Sequence, residues 1–395
     1  MRFVLRALCA AALAGCSDVS QTAAPRRTLT SDAAIDGHPI DARPFHTIDS
    51  RPIAQRVEGL FSRRLMQVSI PSDDFSHAPD AVHPDMACPP SKWMGAKCWL
   101  LYTPYKNSDP SFENPAFLLE SDDSTWATPP EISNPVIGFP GVGYNSDPDH
   151  AYDPATGRLV QVYRVVADSF NKIMVMSTSN ARKWTTPSLA FMEKNHDAVS
   201  PSLVIEPDRL AKLWYVRAGN RGCNATASSV QMRTAMPSPE MGYEHVEWSA
   251  ATPVELAIPG YVIWHLDVLE LGPGKGYLAM IAAFPKGWDC ANGDIWLASS
   301  QDGIKWQVYA VPVLWRTMAA AKDRFISTWY RGTMRYDAAT DVLDMWPSAM
   351  SRGRWNVYHL SVKLSDALLL LRQAEPPDRA NMATLSRSPA PAIMP

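Results

Sequence analysis

Two short runs carry the clearest chemical signal in this chain: His83-Pro84-Asp85 and Asp147-Pro148-Asp149. An aspartate beside a proline commonly starts a turn. Two such runs at matching places in a repeat instead bring Asp85, Asp147 and Asp149, with His83, toward one centre. Carboxylates held together in that way can divide acid and base work. Glu113, in Phe112-Glu113-Asn114-Pro115, and Asp289, beside Trp288, are further carboxylates that the same repeat directs to that centre. Arg164, Arg217 and Arg331 either neutralise these acids as structural ion pairs or bind an anion. Trp264-His265-Leu266-Asp267 adds an imidazole and a further acid, with His265 read either as a satisfied polar core residue or as a cation ligand.

The elements that must position these residues come from a motif repeated about five times. Turns ending in tryptophan read SDDSTW (Ser121 to Trp126), STSNARKW (Ser177 to Trp184) and SSQDGIKW (Ser299 to Trp306), with looser copies ending at Trp248 and Trp355. The intervals between these tryptophans are 58, 64, 58 and 49 residues. Strand-like units recurring at that period predict the blades of a β-propeller. Each unit reads as strand A, a tight turn, strand B, a longer loop and strand C. Asp147 to Arg164, Ser200 to Arg217 and Arg331 to Ser348 align as A–B pairs.

Antiparallel neighbours put the start of A, the end of B and the B–C loop on one face. His83, Asp147, Ser200, Trp264 and Arg331 are therefore expected around one mouth of the axis. Asp85, Asp149, Ser202, Leu266 and Thr333 follow two residues later on the same side of the pleat. Ends of strand B add Arg164 and Arg217, and B–C loops add Glu113, Trp288 and Asp289. The predicted fold is all-β, a five-bladed propeller of antiparallel blades around a central funnel.

Of the 395 residues 46 % are hydrophobic, with 34 prolines and 14 tryptophans, a loop-rich all-β composition. A net charge of −3 without a basic stripe argues against a nucleic-acid partner. Arg2 and Arg6, the apolar run Ala7 to Leu13 and Leu13-Ala14-Gly15-Cys16 read as a lipoprotein signal, residues 1–16, with Cys16 acylated. Residues 17–50 then form a flexible linker, 51–373 the propeller and 374–395 a disordered tail. An exported protein anchored to the outer membrane by lipid alone is the expected location, facing periplasm or cell surface, as a monomer. Cys88, Cys98, Cys223 and Cys290 suit an oxidising compartment. Cys88 and Cys98 flank the first A–B hairpin. Cys223 and Cys290 sit in B–C loops of adjacent blades, so the pairings Cys88–Cys98 and Cys223–Cys290 are favoured over the other two. Residues 60–70 are a candidate for the strand that closes the ring.

The repeat, the Asp-Pro and Pro-Asp entries and the S-x-D-G-x-x-W turn at Ser300 to Trp306 resemble the five-bladed propeller glycosidases: arabinanases, β-xylosidases and β-fructosidases, of the family-43 type. That resemblance covers most of residues 75–365. It implies hydrolysis of an oligosaccharide or polysaccharide in the axial funnel, with no cofactor beyond a central cation near His265. In such enzymes blades one and two each supply an aspartate and blade three a glutamate that acts as the acid. Asp147 matches the blade-two position. His83 stands where the blade-one aspartate is expected, with Asp85 two residues on, and Ser200 replaces the blade-three glutamate. A substitute acid is then required, with Glu113 first and Asp289 second. Trp264, Trp288 and Trp329 are either packing residues or a flat wall against a sugar ring. Arg164, Arg217 and Arg331 would suit an anionic sugar. The alternatives are a non-catalytic carbohydrate-binding propeller and a glycoside phosphorylase using phosphate.

Overall fold

The computed structural model describes residues 51–71, 80–120, 125–167, 169–238 and 242–374. The signal, Cys16, the linker, the tail beyond 374 and the first part of the 121–126 turn lie outside the described residues. Five antiparallel four-stranded sheets form the blades of a five-bladed β-propeller. Blade one holds β2 (Ala81–Ala87), β3 (Cys98–Pro104), β4 (Ala116–Glu120) and β5 (Trp126–Ala127), after β1 (Met66–Gln67). Blade two holds β6 (Tyr144–Asp153), β7 (Arg158–Ala167), β8 (Phe170–Thr178) and β9 (Ser188–Lys194). Blade three holds β10 (Val199–Ile205), β11 (Ala211–Arg217), β12 (Ser229–Ala235) and β13 (Thr252–Val254). Blade four holds β14 (Tyr261–Glu270), β15 (Tyr277–Pro285), β16 (Asp294–Ser300) and β17 (Trp306–Val308). Blade five holds β18 (Ile326–Asp337), β19 (Val342–Ser351) and β20 (Arg354–Lys363), with β1 as its outer strand.

Each blade thus has four strands where the sequence showed three. Four of the outer strands span only two or three residues, too short to leave a period-two pattern. Closure comes from Met66 and Gln67, which pair with His359 and Tyr358. The rest of the 60–70 run is not strand, and α1 (Ile53–Ser62) takes its first three residues. Besides the short α2 (Ala319–Asp323), α3 (Leu364–Arg372) follows β20 and shares one core with α1: Val57 and Phe61 lie with Leu370 and Leu371. Both disulfides, Cys88–Cys98 and Cys223–Cys290, are present.

The tryptophan turns join blades. In the turn before β17, Asp302 Oδ1 accepts the backbone N–H groups of Ile304 and Lys305, both at 2.8 Å. Gly303, at φ +78°, offers its carbonyl to Nε1 of Trp306 and of Trp214, a blade-three residue. A Cβ there would lie 2.7 Å from the Trp214 ring, so only glycine permits the docking. Trp355 does not belong to this set. It begins β20, at the opposite end of blade five.

The axis is built in two storeys. Each inner strand carries a bulge near its start, at Val82/Asp85, Ser146/Asp149, Val199/Ser202, Ile263/His265 and Trp329/Gly332. A proline inside a strand belongs at such a bulge, and Pro84, Pro148 and Pro201 occupy the first three. Past the bulge, each blade accepts a backbone N–H from the next. The bonds are His150 N–H to Asp85 (2.7 Å), Leu203 N–H to Asp149 (2.8 Å), Val268 N–H to Ser202 (2.8 Å) and Met334 N–H to Asp267 (3.1 Å). Thr333 closes the ring by donating to Asp85 at 3.2 Å. This belt also registers the blades: its blade-four member is Asp267, not Leu266, and the residue two before it is His265, not Trp264. Blade four carries a one-residue bulge with no proline to mark it, which shifts that alignment by one.

Candidate functional site

The upper storey comprises His83, Asp147, Ser200 and His265, with Arg331 above the belt in blade five. His83, Asp147 and Ser200 have φ of 51°, 48° and 54°, a left-handed conformation that costs a non-glycine residue on the order of 1–3 kcal/mol. Asp147 is fully buried, with Oδ2 3.0 Å from Arg164 Nε and accepting the Ser200 N–H at 3.1 Å. Its Oδ1 lies 3.2 Å from His83 Nε2 and 3.8 Å from His265 Nδ1. The candidate ligand atoms of His83, Asp147 and His265 all fall within 4.8 Å of one another.

Hydrogen bonding fixes which nitrogen of His83 is free. The Thr103 hydroxyl donates to the Val82 carbonyl at 3.1 Å, so its oxygen must accept from His83 Nδ1 at 3.0 Å. Nδ1 therefore carries the proton, and the Nε2 lone pair faces the Asp147 carboxylate. Burial, aided by Arg331 and Arg164 and opposed by Asp147, lowers the imidazole to about 3, so it is neutral at neutral pH. The same influences take His265 well below the ordinary histidine value. Neither ring nitrogen of His265 has a hydrogen-bond partner among the described residues. Burial alone would raise Asp147, but the guanidinium groups of Arg164 and Arg331 outweigh it and hold the carboxylate well below its usual range.

Glu113 reaches the site on a loop shaped by its own sequence. Asp109 caps a 3-10 turn, Pro110–Phe112, accepting the Ser111 N–H at 2.9 Å. Asn145 of β6 holds the next residue, Asn114, at 2.8 Å. Glu113 ends 3.7 Å from His83 Nδ1, and burial together with the Asp147 charge pushes it up to about 8. The His83 ring thus stands between the carboxylates of Glu113 and Asp147. Tyr330, in the blade-five bulge, completes the wall: its ring lies 4.3 Å from that of His265 and 5.6 Å from that of His83. Trp264 Nε1 donates to the Tyr330 hydroxyl at 2.7 Å. The phenol's own proton then faces Cys290 Sγ, 3.9 Å away, a disulfide sulfur that can only accept weakly, and burial keeps it from ionising.

The structure brings His83, Glu113, Asp147, Arg164, Trp264 and His265 together. Asp85, Asp149 and Asp267 belong to the belt beneath, and Arg331 reaches down to it, donating to Asp149 at 2.8 Å and to the Pro201 carbonyl at 2.9 Å. Ser200 spends its hydroxyl on the Leu266 backbone, as donor and acceptor. Three further residues find their partners elsewhere. Arg217 is half exposed and pairs with Asp197. Trp288 stacks under Arg316, and Asp289 caps its own turn through Ala291 and Asn292. Trp329 is a core residue against Tyr358. Tyr330 escaped the sequence reading, although it adjoins Arg331 at a position the repeat marks.

No protein-family model matches the chain. An A type blood N-acetyl-α-D-galactosamine deacetylase of Flavonifractor plautii is 24 % identical over 323 residues, covering 71 % of this chain and 41 % of that protein. The chain thus spans about two-fifths of its relative's length. The crystal structure of an N-acetylgalactosamine deacetylase from F. plautii, in complex with blood group B trisaccharide, aligns with a TM-score of 0.66. Identity there is 19 %, over 77 % of this chain and 96 % of that one. A thermostable family-43 glycoside hydrolase aligns at 0.52, with 13 % identity over 74 % and 92 %. An arabinanase of Penicillium chrysogenum, complexed with arabinobiose, aligns at 0.51, with 13 % identity over 79 % and 99 %. The fold is that of the five-bladed glycosidase propellers.

Proposed function

We propose that this protein is a metal-dependent hydrolase that removes the acetyl group from an N-acetylated sugar of an oligosaccharide held in the funnel. The observation that carries the proposal is the pairing of a neutral His83 Nε2 lone pair with an ionised Asp147 oxygen 3.2 Å away. Two acceptors at that distance repel unless a cation lies between them. Ligand bonds of about 2.0–2.2 Å in tetrahedral array separate ligand atoms by roughly 3.4 Å, and the 3.2 and 3.8 Å separations fit. Two neutral imidazoles and one carboxylate suit a divalent first-row ion such as zinc. Thr103 on His83, and Arg164 and Ser200 on Asp147, supply the outer bonds that orient such ligands.

Bound there, the ion would polarise the amide carbonyl and make a water nucleophilic at neutral pH. The remaining steps fall to the chain's own groups. Glu113, pushed up to about 8 by burial and the Asp147 charge and so largely protonated at neutral pH, gives its proton to the departing amine nitrogen and regains one from solvent, to which the attacking water loses its own. Water oxygen bonds to the acetyl carbon, the C–N bond breaks, and acetate and a free amino sugar result. Tyr330 exchanges its long contact to the Cys290 sulfur for the carbonyl oxygen, donating its O–H as that atom becomes negative. Trp264 fixes the phenol from behind.

The glycosidase reading fits this site less well. An acid and its partner carboxylate must flank a glycosidic bond, whereas an imidazole separates Glu113 from Asp147, and Asp147 is enclosed by Arg164 and Ser200. The relative named as an N-acetylgalactosamine deacetylase supports amide cleavage. The test is acetate release from N-acetylgalactosamine- and N-acetylglucosamine-terminated oligosaccharides. Glu113→Gln is expected to reduce kcat by on the order of 10²- to 10⁴-fold with the bound metal retained. A variant that stays within twofold of wild type would remove Glu113 from the mechanism. Reducing-sugar release without acetate would replace the deacetylase by a glycosidase. We also infer an exported, lipid-anchored location from the 1–16 segment.

A further inference from the structure

A groove of about 540 Å³ opens on the site face between blades five and one, and Trp355 forms its inner wall. The Trp355 ring lies 4.9 Å from the Tyr330 ring, and Tyr330 packs on His265. A chain of ring contacts thus links the groove wall to the reacting centre. Its lining includes three guanidinium side chains, Arg324, Arg352 and Arg354, against two carboxylates, Asp80 and Asp323. Arg324 is committed to the backbone, through the carbonyls of Ala320 and Leu65. Asp80 is buried and accepts the Trp355 N–H at 3.3 Å. Arg352 and Arg354 are exposed and flank Gly353 in the tight β19–β20 turn, where φ is 52° at Arg352 and 74° at Gly353. Positive φ at both central residues is the hairpin turn that matches strand twist, so it presents two arginines from a stiff support. Arg352 is further held over the Phe325 ring at 4.4 Å.

We propose that this groove binds an acidic sugar unit of the same oligosaccharide, one or more residues away from the N-acetylated sugar. Its carboxylate or sulfate would be taken by Arg352 and Arg354. Planar guanidinium forks match both groups through paired N–H donors, and the polar, aromatic-backed wall suits a sugar rather than a lipid or an apolar peptide. The inference rests on the reading of the centre as a sugar site, and it narrows the substrate to acidic N-acetylated glycans.

The test is equilibrium binding of the full chain to a chondroitin hexasaccharide, which alternates N-acetylgalactosamine with glucuronate. Its comparators are the carboxyl-reduced, neutral form and a carboxyl-reduced, sulfated form. Wild type is expected to bind the glucuronate form about tenfold tighter than the neutral one, with the difference shrinking in high salt. The double variant Arg352→Ala/Arg354→Ala is expected to bind both within twofold at an unchanged melting temperature. Tight binding of the sulfated, carboxyl-reduced form would show that the site reads charge, and weak binding that it reads carboxylate. Equal wild-type affinities, or a preference that survives the double variant, would overturn the proposal. Acid-selective binding without acetate release would leave the groove standing and remove the deacetylase. Acetate release without charge preference would do the reverse.

Discussion

Arg331→Met is expected to destabilise the fold by about 3–5 kcal/mol, the usual cost of leaving a buried ionic partner alone. Arg331 is 1 % exposed and reaches from blade five across the axis to Asp149 of blade two and the Pro201 carbonyl of blade three. Methionine fills a similar space but returns neither bond. Asp149, which burial, Asp85 and Asp267 already push well above the usual carboxylate range against the pull of Arg331, then loses the cation beside it. Arg331→Lys restores a charge but not the planar fork, so it should recover only part of the loss. Urea denaturation of the three proteins reads the effect. A change below about 1 kcal/mol would mean that the other belt bonds hold the blades without this arginine.

The second large effect is expected from Asp147→Asn. The substitution preserves shape while removing the charge, which leaves the buried Arg164 guanidinium unpaired and deprives the histidine pair of its anionic partner. Acetate release should fall at least about 100-fold, the upper end of what losing an outer-shell partner alone costs a metal site. Bound metal should fall with it. Because the variant also loses stability, the comparison belongs at a temperature where circular dichroism shows both proteins folded. Full activity in a folded Asp147→Asn protein would exclude the residue as a ligand.

Much of this architecture was legible because its signals are local. The tryptophan turns carry their own hydrogen-bond chemistry in a few residues, as Asp302 and Gly303 show, so four of the five blades could be recognised from them; the fifth was counted through Trp355, which lies at the other end of its strand. Histidine or aspartate before proline marked the bulges of blades one and two, and Ser200-Pro201 marked blade three, so His83, Asp147 and Ser200 were placed together. Blade four lacked that mark. Its one-residue bulge at Trp264 moved His265 and Asp267 into the places assigned to Trp264 and Leu266. Residues on long loops were harder to place. Glu113 arrives where expected because Asp109 and Asn145 shape its loop, whereas Trp288 and Asp289 are taken up by Arg316 and by a capped turn. The chemistry of the centre was the least legible part. A resemblance to glycosidases directs attention to carboxylate pairs, while the structure sets two neutral histidines around one carboxylate. That arrangement depends on a hydroxyl, Thr103, twenty residues from His83.

The most direct test of the central claim is elemental analysis of the purified full chain, beside His265→Ala. The account predicts close to one divalent first-row ion per chain in wild type, and its loss from a variant that remains folded. It also predicts that chelation stops acetate release and that restoring the ion recovers it. Acetate release that persists in excess chelator from metal-free protein would contradict it.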